Sequence, residues 1–225
     1  MRSPGQILVD VDRAKRVFSA GGAPTVALEK ATCRVSVGDR IALVGQSGSG
    51  KSTLLHIMAG LDQPTFGTVK WPAFGAVGGL RSGKIGIAFQ SQSLVGWLTA
   101  VENVALPLQL AGHGEDAHGN AHDALARFGL DHLSDKLPEE LSGGQAQRIS
   151  LVRATITNPP LFVADEPTGQ LDRQTGKELV DMLFQWADEN EVAVVVATHD
   201  LTIAERFRTI WTMQRGLLYP AVGEF

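Results

Sequence analysis

The chain has 225 residues, of which 44% are apolar and 20% charged, with a formal net charge of −4. This is ordinary globular usage, long enough for one large domain or one domain carrying an inserted lobe, and it excludes collagen, coiled coil and wholesale disorder. The slight acidity argues against a broad basic face for nucleic acid, and Cys33, the single cysteine, excludes an internal disulfide and fits a reducing compartment.

Met1 to Asp10 lack a basic stretch followed by an apolar core, so no signal peptide is expected. Ile7 to Val11 and Ala31 to Val37 alternate apolar with polar residues, the pattern of half-buried strands in a small antiparallel sheet. Gly21, Gly22 and Pro24 break the chain between them. Ile41 to Val44 is a short, wholly apolar strand, followed by Gly-rich sequence and a helical run through Leu54, Leu55, Ile57 and Met58 that ends at Gly60. Ile85 to Phe89 is another short strand.

From Ser91 to about Ala154 the pattern is helical. Thr99 and Glu102 have capping-box spacing. Ala121 to Phe128 is a second helical segment, after a polar, Gly-containing connector from Gly112 to Asn120. His113, His118 and His122 lie close together at this connector, where ordinary polar residues are the first reading and a metal site the lesser one; His56 and His132 are read as ordinary helix or surface residues. Leu161 to Ala164 and Val192 to Ala197 are buried strands flanking an amphipathic helix, roughly Gln174 to Asn190, with Leu179, Met182, Leu183 and Trp186 on one face. Apolar strands alternating with helices argue for an α/β fold with a parallel sheet covered on both sides. The helical stretch interrupts that pattern, which makes it an inserted lobe. The strongest apolar run, Val192 to Ala197, falls far short of the roughly 18 residues needed to cross a bilayer.

Three segments carry chemistry. Gly45-Gln46-Ser47-Gly48-Ser49-Gly50-Lys51-Ser52, followed by Thr53, matches the phosphate-binding pattern G-x-x-x-x-G-K-[ST]. Glycines let the backbone curl so that several N–H groups point at one anion, and the helix that follows adds its positive end. Lys51 supplies a point charge for β- and γ-phosphates, and Ser52 offers a hydroxyl to Mg2+. A chance match in a chain this long is rarer than about one in a hundred at ordinary glycine usage. An apolar strand before the loop and an apolar helix after it make chance rarer still.

Leu161 to Glu166 is an apolar strand ending in two carboxylates. Alone, such a pair is most often a solvated strand end. Downstream of a phosphate loop, Asp165 is placed to hold Mg2+ and Glu166 to orient or deprotonate an attacking water. Leu141-Ser142-Gly143-Gly144-Gln145 then opens a helical run through Ile149, Leu151 and Val152, which makes a second anion-binding helix start.

With this last segment the sequence resembles the ABC ATPases, whose signature is LSGGQ, over nearly the whole chain and in the family's motif order. The resemblance implies a P-loop NTPase core with an N-terminal antiparallel β part (residues 1–90 and 155–225) and an inserted helical subdomain (91–154). It implies an ATPase that uses ATP and Mg2+. Ser142, Gly143, Gly144 and Gln145 would meet the ATP held by a second copy, so that two subunits sandwich two ATP molecules head to tail. Gln90 resembles the Q-loop glutamine that reaches Mg2+ and the attacking water. Asp172 resembles the D-loop aspartate that communicates across the dimer. His199 resembles the switch histidine on the γ-phosphate. Phe18 falls where the family places an aromatic that stacks on adenine; plain core is the other reading.

Ala164 to Asp172 and Glu102 to Leu108 resemble the branch of lipoprotein-release, macrolide-efflux and cell-division ATPases. That implies a membrane-spanning partner, a place at the cytoplasmic face of the membrane and no nucleic acid. A solute-importer subunit, or a soluble relative acting on DNA or the ribosome, are the competing readings. Gln170 and Val152 to Thr155 depart from the branch, and the Gly-rich stretch from Gly67 to Gly83, with Trp71 and Phe74, has no assigned role.

Overall fold

The computed structural model of the chain describes residues 5–19, 23–74, 83–90 and 93–220. Strands β1 (Ile7–Phe18), β2 (Thr25–Ser36) and β4 (Phe66–Lys70) form a three-stranded antiparallel sheet in the order β2-β1-β4. A six-stranded sheet joins β3 (Arg40–Val44), β5 (Ile85–Ala88), β6 (Leu161–Asp165), β7 (Ala193–Thr198), β8 (Thr209–Gln214) and β9 (Leu217–Pro220) in the order β5-β6-β7-β3-β8-β9. Its strands run parallel except for β9, which returns antiparallel to β8. The helices are α1 (Lys51–Met58), α2 (Ala100–Leu110), α3 (Ala117–Arg127), α4 (Gly143–Thr155), α5 (Arg173–Glu189) and the short α6 (Leu201–Ala204). The α/β class with a parallel central sheet is as expected.

Strand alternation divides the core. Ala42, Val44, Phe162, Ala164, Val194 and Val196 face one way, into a cluster shared with Val104 and Ala105 of α2, Leu125 of α3, Ile149 and Val152 of α4, and Leu183 and Trp186 of α5. Ile41, Leu43, Leu161, Val163 and Val195 face the other way, against α1 and the antiparallel sheet. Both faces being buried explains why β3, β6 and β7 read as continuous apolar runs. The inserted helices share one continuous core with the sheet.

The structure extends several expected elements. The two N-terminal strands run 12 residues each, through bulges at Val11/Ala14 and Ala14/Arg16 that interrupt the simple alternation. The expected connector from Gly112 to Asn120 is largely helical: a 3-10 turn at Gly114–Asp116 leads straight into α3. Ala117, Ala121 and Leu125 form its buried stripe, and alanines this small left little hydrophobic periodicity to read. The breaks at Gly21 and Gly22, the start of the helical stretch at Ser91, and residues 75–82 of the Gly-rich stretch from Gly67 to Gly83 lie outside the described residues. In the described part of that last stretch Trp71 is buried, and its indole N–H donates to the Met58 carbonyl at 2.7 Å, fastening β4 to the end of α1.

Candidate functional site

The phosphate loop leaves the buried strand β3 at Gly45 and enters α1 at Lys51. Gly45 has no room for a side chain, because a Cβ there would run into the Met213 carbonyl and the Ser49 hydroxyl. Gly48 and Gly50 sit at φ of 75° and 107°, where a side chain is strained. The turn between β8 and β9 supports the loop from behind, with the Gly216 N–H donating to the Ser49 carbonyl at 2.9 Å. That turn is two residues, Arg215 and Gly216, both at positive φ, the geometry that matches strand twist in tight hairpins.

Lys51 is buried, and its ammonium donates to the carbonyls of Gly45 at 2.8 Å and Gln46 at 3.3 Å. It also lies 3.6 Å from Glu166 Oε1. The ammonium is therefore held by its own loop, next to the acidic strand end.

That strand end is β6. Asp165 and Glu166 are both buried, and Glu166 has a φ of 51°, a left-handed conformation that a non-glycine residue rarely keeps unless its surroundings enforce it. Its backbone N–H donates to the Ala197 carbonyl at 2.9 Å. Its other carboxylate oxygen, Oε2, accepts from the His199 backbone N–H at 3.3 Å and lies 2.9 Å from His199 Nδ1. An ionised carboxylate there accepts from Nδ1–H, which turns Nε2 away from it. The His199 side chain is 69% exposed while that of Glu166 is 10% exposed, so the imidazole stands at the mouth and the carboxylate behind it.

One cleft of about 610 Å³ gathers these groups. Gln46 to Thr53, Gln90, Asp165, Glu166 and His199 all line it. Thr25, Val26 and Ala27 of β2 form a further wall that the sequence reading did not single out, since nothing in their chemistry marks them. Phe18 does not line the cleft; it pairs across the sheet with Thr25, so it stands beside the rim. The ring is 42% exposed, and the Arg16 guanidinium, ion-paired to Asp62 at 2.9 Å, sits 4.5 Å from its centroid.

The donor set suits both implied ligands. A run of loop N–H groups, the α1 N-terminus and Lys51 offer positive charge to a polyphosphate. The Ser49 hydroxyl is buried without a hydrogen-bond partner, an orphan polar group in the middle of that loop. Ser52, Gln90 and Asp165 bring a hydroxyl, an amide carbonyl and a carboxylate to the same cleft, the hard oxygen donors that Mg2+ prefers. Among the described residues no group of three or more His, Cys, Asp or Glu side chains forms a separate metal cluster.

Ser142 to Gln145 lie elsewhere. They line a second cleft of about 430 Å³ with Arg148, Gln170, Leu171, Asp172 and Thr175, and none of these residues lines the first cleft. Ser142 is the N-cap of α4: its Oγ accepts from the Gln145 N–H at 3.2 Å, and Gln145 Oε1 accepts from the Ser142 N–H at 2.9 Å. Gly144 packs so closely on Leu171 that a Cβ would come within 2.7 Å of it. Asp172 caps α5, accepting from the N–H groups of Gln174 and Thr175 at 3.0 Å each. The Thr175 hydroxyl holds the Asp172 carboxyl below its usual range. Within a single chain, Ser142 and Asp172 share one cleft and Lys51, Glu166 and His199 share another.

Comparison with known proteins follows the same lines. A family model described as ABC transporter matches residues 28–169. The chain is 36% identical over 218 residues to the lipoprotein-releasing system ATP-binding protein LolD of Hydrogenovibrio crunogenus, covering 93% of this chain and 95% of that protein. It is 38% identical over 226 residues to the macrolide export ATP-binding/permease protein MacB of Syntrophobacter fumaroxidans, covering 96% of this chain but only 32% of that longer protein. Among solved structures it is similar to a dimeric ATP-binding cassette in a post-hydrolysis state bound to ADP and Pi, with a TM-score of 0.87 and 32% identity, covering 96% of this chain and all of that one.

Proposed function

The chain belongs to the ABC transporter family, and from that premise we propose that it is the ATP-hydrolysing subunit that drives a separate membrane permease of the LolD or MacB kind. The observation that carries the reading is the division of its motifs into two clefts with no residue in common. A chain with one phosphate loop gains a use for a second anion-binding helix start only if a second copy brings its own ATP to it. A head-to-tail dimer supplies that arrangement.

In this reading the loop N–H groups and Lys51 bind the phosphates, and Phe18 stacks on adenine at the rim. Ser52, Gln90 and Asp165 hold Mg2+, which when bound neutralises phosphate charge. Glu166 accepts the proton of the attacking water or orients it, with Lys51 on one carboxylate oxygen and His199 on the other. His199 steadies the γ-phosphate at the mouth. Ser142, Gly143, Gly144 and Gln145 close over the partner copy's γ-phosphate, and Asp172 carries the state of one site to the other. Catalysis is mostly positioning and charge stabilisation.

Residues 1–90 and 155–225 act as the nucleotide core, and 91–154 as the lobe that relays closure to the permease. No helix among the described residues is long and apolar enough to cross a membrane, and in this reading the chain docks at the cytoplasmic face through that partner.

The test is hydrolysis by purified Glu166→Gln. Turnover should fall by about a hundredfold or more, ATP binding should persist, and an ATP-dependent dimer should accumulate. Near wild-type turnover would remove Glu166 from the chemistry. A tagged pull-down from detergent-solubilised membranes addresses the partner: recovery of ribosomes or DNA, and no polytopic protein, would overturn the transport role and leave the ATPase standing.

A further inference from the structure

Gln147 is an uncharged side chain in α4 that is buried to 6% exposure yet uses both ends of its amide. Its Nε2 donates to the Glu166 carbonyl at 2.8 Å, and its Oε1 accepts from the Gln170 N–H at 3.2 Å. The two partners settle the orientation of the amide, since a carbonyl requires a donor and an N–H an acceptor. An apolar residue of the same length would fill this space as well, so packing alone does not account for a glutamine. A buried polar group earns its place only when satisfied, and this one is satisfied by two different segments.

What it holds is the residue with the unusual backbone. Glu166 keeps its φ of 51° with its N–H bonded to Ala197 and its carbonyl bonded to Gln147 and, at 3.1 Å, to the Gly169 N–H. The carboxylate direction follows from that backbone. On the other side, Gln170 lies two residues before Asp172, which lines the second cleft. Gln147 stands on the helix whose first turn, capped by Ser142, opens the same cleft. The next residue, Arg148, donates through Nη2 to the Phe128 carbonyl at 2.9 Å, at the end of α3. A shift of α4 at either place therefore reaches the Glu166 carbonyl through one side chain.

We propose that Gln147 is a positioning residue that couples the seating of α4 in one ATP site to the setting of Glu166 in the other. The proposal rests on the reading of Glu166 as the hydrolytic carboxylate. It makes hydrolysis in a chain's own cleft depend on whether its Ser142 segment is engaged by the partner copy's nucleotide.

The test is ATP hydrolysis by Gln147→Met, which keeps length and loses both bonds, and Gln147→Glu, which keeps the acceptor for Gln170 and loses the donor to Glu166. Both should lower kcat by about tenfold or more, the scale of a misplaced catalytic group, while KM and ATP affinity stay within about twofold. In a Glu166→Gln background, adding Gln147→Met should lower the residual rate no further, because the two act as one unit. Retained ATP affinity certifies the fold, and if the Met variant does not fold, the Glu variant decides. Unchanged kcat in either variant, a parallel loss of kcat and ATP affinity, or an additive loss in the double variant would overturn the proposal. Wild-type turnover in Glu166→Gln would instead sink the reading beneath it, so the two failures are distinct.

Discussion

Gly50 shows what a motif letter means physically. Its φ is 107°, and a Cβ at that position would collide with the Ala27 carbonyl of β2. Left-handed backbone costs an ordinary residue about 1–2 kcal/mol before any clash, and each 1.4 kcal/mol is about tenfold in affinity. Gly50→Ala should therefore weaken ATP binding by at least tenfold, as read by nucleotide titration of the purified chain. The glycines and Lys51 of the loop stood out in the sequence because their spacing, between an apolar strand and an apolar helix, fits a phosphate-binding turn. Other residue-level facts were not. Nothing in the sequence marks Thr25 to Ala27 as a cleft wall, because β2 reaches the site only through tertiary packing. The positive φ of Glu166 was equally hidden, since two of the groups bonded to its backbone, Ala197 and Gln147, come from distant parts of the chain. Phe18 stood out in the sequence only by its place in the motif order, and nothing there marked the Arg16 guanidinium over its ring.

At the scale of elements, capping chemistry was the most readable signal. Thr99 and Glu102 form the reciprocal box their spacing announces, with the Glu102 carboxylate accepting the Thr99 N–H at 2.7 Å and the Glu102 N–H donating to the Thr99 hydroxyl at 3.3 Å. Strands β3, β6 and β7 were legible because burial on both faces leaves unbroken apolar runs. β4 was not, since it is mostly exposed and carries no alternation, and β8 and β9 are defined by their hairpin turn more than by pattern. One further device inside α2 escaped pattern reading. Asn103 is fully buried; its Oδ1 accepts from the Val95 N–H at 2.7 Å, and the two N–H groups of its Nδ2 are shared among the carbonyls of Val95, Leu98 and Thr99 at 3.1, 2.9 and 3.0 Å. It thereby ties the segment that follows the Gln90 loop onto the start of the helical lobe. Asn103→Leu keeps the branched shape but strands the Val95 N–H and removes a donor from the Val95 and Leu98 carbonyls, so it should cost about 3 kcal/mol. A urea unfolding midpoint that does not move would show that water replaces these bonds.

At the scale of the whole molecule, the proposed half-site arrangement has a sharp test. The cleft holding Lys51 and Glu166 and the cleft holding Ser142 and Asp172 have no residue in common, so a substitution in the second should leave ATP binding by one chain intact. It should act only when two chains meet. Glu166→Gln provides the background, because on the proposed reading it blocks hydrolysis and should let the ATP-bound dimer persist. Adding Ser142→Arg to that variant puts a bulky cation where the first turn of α4 must approach a phosphate, and removes a cap worth about 1 kcal/mol to the helix. The double variant should bind ATP as tightly as Glu166→Gln does at concentrations too low for dimers, yet remain monomeric by size-exclusion chromatography with ATP present. If Ser142 instead served the ATP of its own chain, monomer affinity would fall with the substitution. If the dimer used some other face, the double variant would still dimerise with ATP. The geometry argues against the first of these, because within one chain Ser142 and Lys51 belong to different clefts, and a pairing that sets the Ser142 cleft of one copy against the Lys51 cleft of the other brings both to one nucleotide.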